Sequence, residues 1–359
     1  MSSRTTSTQR ACAEYLILCM SAQKANTKEL TMKQAKFWIE TFLRLILLLV
    51  AASIITFALV NAAPIDPVAA YAGGENTFSK EQLASIAAHW GFDKPPVERY
   101  FMWIGGLLHG DGGISVIYQR PVVQILFERA GNSLLLMGCA WVLSGIIGFA
   151  AGIVCGLYPR SIADKLLKGI CIVLSAAPTF WVGLVCLSIF AVALGWFPLG
   201  HAYPVGLTPD QVTWGQRIHH LILPALVLAV SGIGNITLQT REKVIEIMQS
   251  DMVTFAKARG ETTRQIITRH LLRNISLPAI TLQFAYISEV FGGSVLAEQV
   301  FAYPGLGNAV VQSALSMDIP LLLGVALVSA VFVFVGNFIA NVLYGIIDPR
   351  IKRGAELHD

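Results

Sequence analysis

Apolar positions in this chain cluster in long uninterrupted blocks rather than alternating with polar ones. Six blocks are long enough to cross a bilayer, which takes about 20 helical residues. They run roughly over 42–62, 133–157, 169–194, 221–240, 276–297 and 321–346. Backbone polar groups find no water in hydrocarbon, so runs of this length predict helices. Pro64 and Pro67 close the first block, and Pro178 falls inside the third and predicts a kink there. Between the blocks lie two long connections, 63–131 and 241–275. The first has helix-like stretches over 80–89 and 97–108, broken by Pro95, Pro96 and the glycines of 110–113.

Composition agrees with the blocks. Hydrophobic residues make up 55% of the 359, charged residues only 13%, and mean hydropathy is +0.63. Soluble chains carry about a quarter charged residues, so the chain reads as an all-α membrane protein. The net charge of +4 gives no footprint for nucleic acid.

Lys and Arg positions predict orientation. Arg160, Lys165 and Lys168 lie between blocks two and three, and seven basic residues lie between blocks four and five. Arg350, Lys352 and Arg353 occupy the tail, whereas 274–349 contains no Lys or Arg. Both termini are therefore expected in the cytoplasm, with 63–131 outside and 241–275 inside. The chain divides into an N-terminal extension (1–36), a first helix with its extracytoplasmic segment (37–131), a core (132–348) and a tail (349–359). Met32 opens Met-Lys-Gln-Ala-Lys directly before the first block and is an alternative start; otherwise 1–31 is a cytosolic tail.

The cytoplasmic segment carries the most local information. Ser250 or Asp251 can cap a short helix that ends at Gly260, where a left-handed residue is expected. A second helix begins near Thr262 or Thr263. Ile266, Ile267, Leu271 and Leu272 fall on one side of it and Arg264, Arg269 and Arg273 on the other. The product is a compact basic knob, which could dock a protein or lie on anionic lipid.

The ordered set Asp251, Ala256-Lys-Ala-Arg-Gly260, Arg269-His270, Arg273-Asn274 and Pro278 resembles the EAA coupling loop of binding-protein-dependent ABC importer permeases. The form is that of the dipeptide, oligopeptide and nickel branch. Glu298-Gln-Val-Phe301, Pro304-Gly305-Leu-Gly307, Asp318 and Pro320 are similar to the stretch after the fifth span in that branch. Asn337, Tyr344 and Asp348-Pro349-Arg350 resemble its terminal signature. Ser175, Pro178, Phe180, Trp181 and 221–224 resemble its third and fourth spans, and 91–95 and 110–115 its outer segment. Roughly 37–353 is covered. Met252, Phe255, Met317 and Asn341 depart from the usual residues.

The resemblance implies six transmembrane helices of the importer-permease type in a bacterial inner membrane. It implies a knob that docks on one or two separate ATPase subunits, a second homologous permease subunit, and an extracytoplasmic substrate-binding protein. No Gly-x-x-x-x-Gly-Lys-[Ser/Thr] phosphate loop occurs in the chain, so ATP and Mg belong to the partner ATPases and no cofactor is expected here. The implied cargo is a peptide, with nickel or a metal chelate as the alternative; a secondary transporter or channel is the reading from another class. Motifs of an intramembrane enzyme, His-Glu-x-x-His and Gly-x-Ser-x-Gly, are absent, so no catalytic residue is expected.

Glu289 lies inside the fifth span with Gly292 and Gly293 just beyond. A lipid-facing carboxylate there would cost on the order of a few kcal/mol, so it should face either the translocation path or a hydrogen bond at the permease interface. Pro178 joins it as a candidate for gating. Glu298, Pro304, Gly305, Gly307, Asn337 and 348–350 are expected to be structural. His201, His219 and His220 are close in sequence, but adjacent helical positions point about 100° apart and chelate poorly; no metal site is expected. The six cysteines show no short metal or redox spacing and read as small buried hydrophobes.

Overall fold

The computed structural model describes residues 39–62, 94–207 and 211–347. The expectations for 1–38, the 80–89 stretch and 348–350 lie outside them. The chain divides into two units, one through Ile54 and the other from Ile55 onward. Helix α1 (Ile39–Ala62) runs through that division. In the first unit its apolar side chains, Ile39, Phe42, Leu43 and Leu47 among them, are exposed, as befits a helix whose solvent is lipid.

The second unit holds all the other described helices. In chain order they are α2 (Pro96–Leu108), α3 (Val122–Leu157), α4 (Ile162–Ala176), α5 (Thr179–Cys186, continued by a π-helical stretch Leu187–Ala193), α6 (Trp214–Met248), α7 (Asp251–Ala258), α8 (Thr263–Ile266, continued by the π-helical Ile267–Leu271), α9 (Leu272–Ala285), α10 (Ile287–Val300), α11 (Leu306–Leu315) and α12 (Ile319–Ile347). No strand occurs among the described residues; Ile114 and Pro121 form one isolated antiparallel bridge.

Helices α1, α3, α6 and α12 are each long and apolar enough to cross a membrane. The third and fifth expected spans differ from single helices. Between α4 and α5 the chain turns by 115°, and the span containing α9 and α10 bends by 54°. Counting each bent pair as one span gives the six expected. At the first break a mere kink was expected, but Ala177 is extended (φ −79°, ψ 134°). A residue before proline is pushed out of the helical region, and proline itself cannot donate to the preceding turn. At the second break no proline is involved. The Tyr286 hydroxyl donates to Leu228 O on α6 (3.0 Å) and its ring lies against Gly232, which holds the bend onto the neighbouring helix.

The second and fourth spans extend beyond their apolar blocks. Helix α3 starts directly after Pro121, a suitable residue to precede a helix. Helix α6 starts at a capping box in which Thr213 and Gln216 satisfy each other's backbone N–H groups.

The core is the packing of α6 against its neighbours. Gly148, Gly152 and Gly156 on α3 face Ile236, Thr240 and Val244 on α6; small residues at this spacing let two membrane helices approach closely. Polar ties reinforce the contact. Trp141 Nε1 donates to Gln283 O (2.7 Å), and the Gln283 amide returns a bond to Trp141 O, joining α3 to α9. Asp164 at the start of α4 is buried and accepts from Arg241 Nε and Nη2 of α6, the latter at 2.8 Å. It also accepts from the backbone N–H of Arg160 (2.8 Å).

Candidate functional site

The knob forms as two short helices around a left-handed glycine. After α7, Gly260 N–H donates to Lys257 O (2.9 Å) and Glu261 N–H to Ala256 O (3.1 Å). This is the Schellman closure of a helix, and its pivot residue must have positive φ. Gly260 has φ +81°. Thr262 then caps α8 reciprocally with Gln265. Ser250 precedes α7 as expected, but its hydroxyl donates backwards to Ile247 O (2.6 Å) and does not cap α7. Asp251 sits in the first turn, where a carboxylate meets the positive end of the helix dipole.

The underside of the knob is apolar. Val253, Ala256 and Ile266 are buried against Ile247 and Met248 at the end of α6. Leu271 and Ile275 are buried with Val244 against Ile153 and Leu157. The knob therefore sits on the ends of α3 and α6. Ala256 is 1% exposed, so a larger side chain there would lift α7 off its seat.

The other face is open. Arg264, Arg269, Arg273 and Asn274 are exposed. Asn274 Nδ2 donates to His270 O (2.8 Å) and approaches Met252 Sδ (3.8 Å). His270 Nε2 lies 2.9 Å from Glu261 Oε2 and Arg259 pairs with Oε1 of the same carboxylate. His270, and secondarily Arg259, hold the Glu261 carboxyl below its ordinary range. A depressed carboxylate favours the folded form above its unfolded pKa, about 4.3. That contribution fades as pH falls through the lower folded value. Phe255, which the sequence marks only as a departure from the usual residue, is 71% exposed on α7. Pro278 lies inside α9 without interrupting it.

A second constellation surrounds the two breaks. Glu289 is exposed on α10, with Ser231 Oγ of α6 donating to Oε2 at 3.5 Å. Gly292, one turn on, is exposed, and a Cβ there would meet nothing within 4 Å. Gly293 faces inward; a Cβ on it would lie 3.0 Å from Leu228 Cδ1 and 3.9 Å from Thr179 Oγ1. Thr179 follows Pro178, which is itself exposed. Glu289, Gly292, Gly293 and the Pro178 turn are thus neighbours.

Glu298 lies elsewhere and is fully buried. It accepts from Ser133 Oγ (2.6 Å) and Asn308 N–H (3.0 Å), while Ser133 Oγ accepts from Leu306 N–H (2.8 Å). A Cβ on Gly305 would strike the carboxylate, and one on Gly307 would lie 2.6 Å from Val295 Cα and 3.0 Å from Glu298 Oε2. Asn132 Nδ2 donates to Pro304 O (2.9 Å). The group clamps the turn between α10 and α11 onto α3. Asp318, also fully buried, accepts from Ser115 Oγ and from the N–H groups of Ile117 (3.1 Å) and Leu321 (3.2 Å). Asn337 is half-buried on α12. His219 contacts Trp196 O and His220 contacts Gly200 O, so the adjacent imidazoles are turned to different carbonyls. Among the described residues no three His, Cys, Asp or Glu converge as a metal site.

Residues 148–353 match the family described as binding-protein-dependent transport system inner membrane component, and 34–130 match the N-terminal family of the same components. The chain belongs to this family. The match takes in the whole knob and both breaks of this transport component. It is 34% identical over 319 residues to the oligopeptide transport system permease protein AppB of Bacillus subtilis (strain 168), covering 89% of this chain and 99% of that one. It is 30% identical over 321 residues to the dipeptide transport system permease protein DppB of Escherichia coli (strain K12), covering 84% and 94%. A putative peptide transport system permease protein of Brucella abortus (strain 2308) is 32% identical over 308 residues, covering 86% and 95%. This transport component is a multi-pass membrane protein.

Proposed function

We propose that the chain is a permease subunit of an ATP-driven peptide importer of a bacterial inner membrane, with both termini and the knob in the cytoplasm. The similarity to three permeases named for peptide transport supports the cargo class; nothing observed favours nickel. Its partners are a second homologous permease, one or two ATPase subunits that use ATP and Mg, and an extracytoplasmic binding protein that delivers cargo. This chain contributes no cofactor and no ATPase site.

The knob carries the reading. Its apolar underside is keyed to α6, so displacement of the knob displaces a span. Its exposed residues include Phe255 together with Lys257, Arg259, Arg264, Arg269 and Arg273, and an exposed aromatic accompanied by charged residues is a composition suited to a protein contact. Asp251, Ala256, Gly260, Arg269, His270, Arg273, Asn274 and Pro278 shape or flank this contact. Glu289, Gly292, Gly293 and Pro178 belong to the translocation path or to the interface with the second permease.

Gly260→Val tests the hinge. A Cβ at Gly260 meets no atom within 4 Å, so the cost is in the backbone, about 1–2 kcal/mol and local. The variant is expected to assemble in the membrane with its ATPases, yet to lose the rise in ATP hydrolysis caused by cargo-loaded binding protein. Normal stimulation would remove the role given to the turn. Phe255→Ala tests the contact. Because the ring is exposed, permease stability should stay within about 0.5 kcal/mol, while ATPase copurifying with the permease drops; undiminished copurification would count against Phe255 as an anchor.

A further inference from the structure

The two breaks in the spans and the carboxylate between them mark a particular place in the membrane. The 115° turn at Ala177–Pro178 and the 54° bend at Tyr286 meet the same stretch of α6. Tyr286 is seated on Gly232, Gly293 on Leu228 beside Thr179, and Glu289 on Ser231. Interrupted helices at membrane depth are tolerated where they are buried in protein or line a watery cavity, and transporters with broken spans place cargo and ions at such points.

The surface beside these breaks is polar. Along α6, Ser231 is half-buried, and Asn235 and Gln239, at successive spacings of four, are exposed. This puts a polar line on one face of an otherwise apolar helix. On α10 the exposed positions beside it are Glu289 and Gly292. Among the described residues the Glu289 carboxylate accepts one long hydrogen bond, from Ser231, and has no cationic partner. No Lys or Arg occurs in 274–349, and Arg241, on the same helix as the stripe, is engaged with Asp164. An ionisable group at such a depth calls for water or a counter-charge, and the described residues of this chain supply none.

We propose that Glu289, flanked by Ser231 and Asn235, is a transient binding point for the cationic amino terminus of the cargo as it crosses the membrane. The proposal rests on the peptide-importer reading. A primary ammonium supplies the missing charge and three N–H donors. Glu289 Oε1 and Oε2 accept two of them, and Asn235, exposed one turn along α6 from Ser231, offers an amide oxygen for the next. Gly292 leaves the approach to the carboxylate open. The binding is weak by construction, since cargo must leave as readily as it arrives.

The test uses the complete importer in membrane vesicles, with a mixture of radiolabelled tri- to pentaalanine carrying free amino termini. Glu289→Gln keeps the shape and removes the charge; peptides moved per ATP hydrolysed should fall roughly tenfold. Glu289→Asp should retain at least about half of the wild-type ratio, and Asn235→Leu should lower it about threefold. Copurification of the ATPase subunits controls for assembly. In a background without native cysteines, Glu289→Cys should react with a cationic, membrane-impermeant thiol reagent added on the aqueous side. A ratio for Glu289→Gln within about twofold of wild type overturns the proposal. So does a Glu289→Cys that escapes the reagent and instead cross-links to the second permease, which would make this face an interface. If the unaltered importer leaves the peptide mixture outside, the peptide reading itself fails, an outcome distinct from the first two.

Discussion

Gly156→Leu is expected to leave little stable permease in the membrane. A Cβ at this position would lie 2.5 Å from Val244 Cβ and 2.9 Å from Arg241 O, and at Gly152 it would lie 2.6 Å from Thr240 Cβ and 2.8 Å from Thr237 O. These obstacles are backbone and branch points of α6, which cannot swing aside as the end of a long side chain would. Helices α3 and α6 would have to separate along three turns, opening the packing on which Val244, Leu271 and Ile275 depend. Overpacking of this kind costs about 1–3 kcal/mol for a methylene or two and more when the whole interface must part. Thermal unfolding of the detergent-solubilised subunit is the measurement. Gly138→Ala, on the same helix but with open space around its Cβ, is the control and should be neutral within about 0.5 kcal/mol. Equal stability of the Gly156 and Gly138 variants would refute the account of the α3–α6 contact.

Glu298→Ala should have the next largest effect. It leaves Ser133 Oγ and the Asn308 N–H without their shared acceptor in a fully buried site. Each buried polar group left unsatisfied costs about 1–3 kcal/mol, so a loss of about 3 kcal/mol or more is expected. Glu298→Gln keeps the volume and one acceptor oxygen, and should lose less, about 1–2 kcal/mol. The order Ala worse than Gln in thermal unfolding is the diagnostic. The reverse order would refute the account of Glu298 as the hydrogen-bond acceptor that holds the turn at Gly305.

The span count and the knob were legible in the sequence because each depends on local chemistry. Long apolar blocks can only be helices in lipid, and the closure at Gly260 follows from a residue type that alone adopts positive φ freely. The exposed and buried faces of α8 follow from spacing: Ile266 and Leu271 turn inward while Arg264 and Arg269 turn outward. The break before Pro178 was visible in kind but not in size, since a proline removes a helical bond without dictating how far the chain then turns. The bend at Tyr286 has no local signal, because it depends on a hydroxyl reaching Leu228, 58 residues away in sequence. The glycines at 148, 152 and 156 stand in plain view at a spacing of four. Their meaning emerges only once the facing helix is known. Phe255 shows the opposite case, a residue whose identity was plain and whose exposure was not.

Helix α6 is continuous for 35 residues, through Pro224, from the capping box at Thr213 to the seat of the knob. At 1.5 Å per residue it is a rod of about 52 Å. Pivoting on one end by about 5°, such a rod would carry its far tip through about 4–5 Å, the width of a peptide backbone. Opening a passage along such a rod therefore requires no unfolding and no long slide, only a small change of inclination at the end that carries the knob.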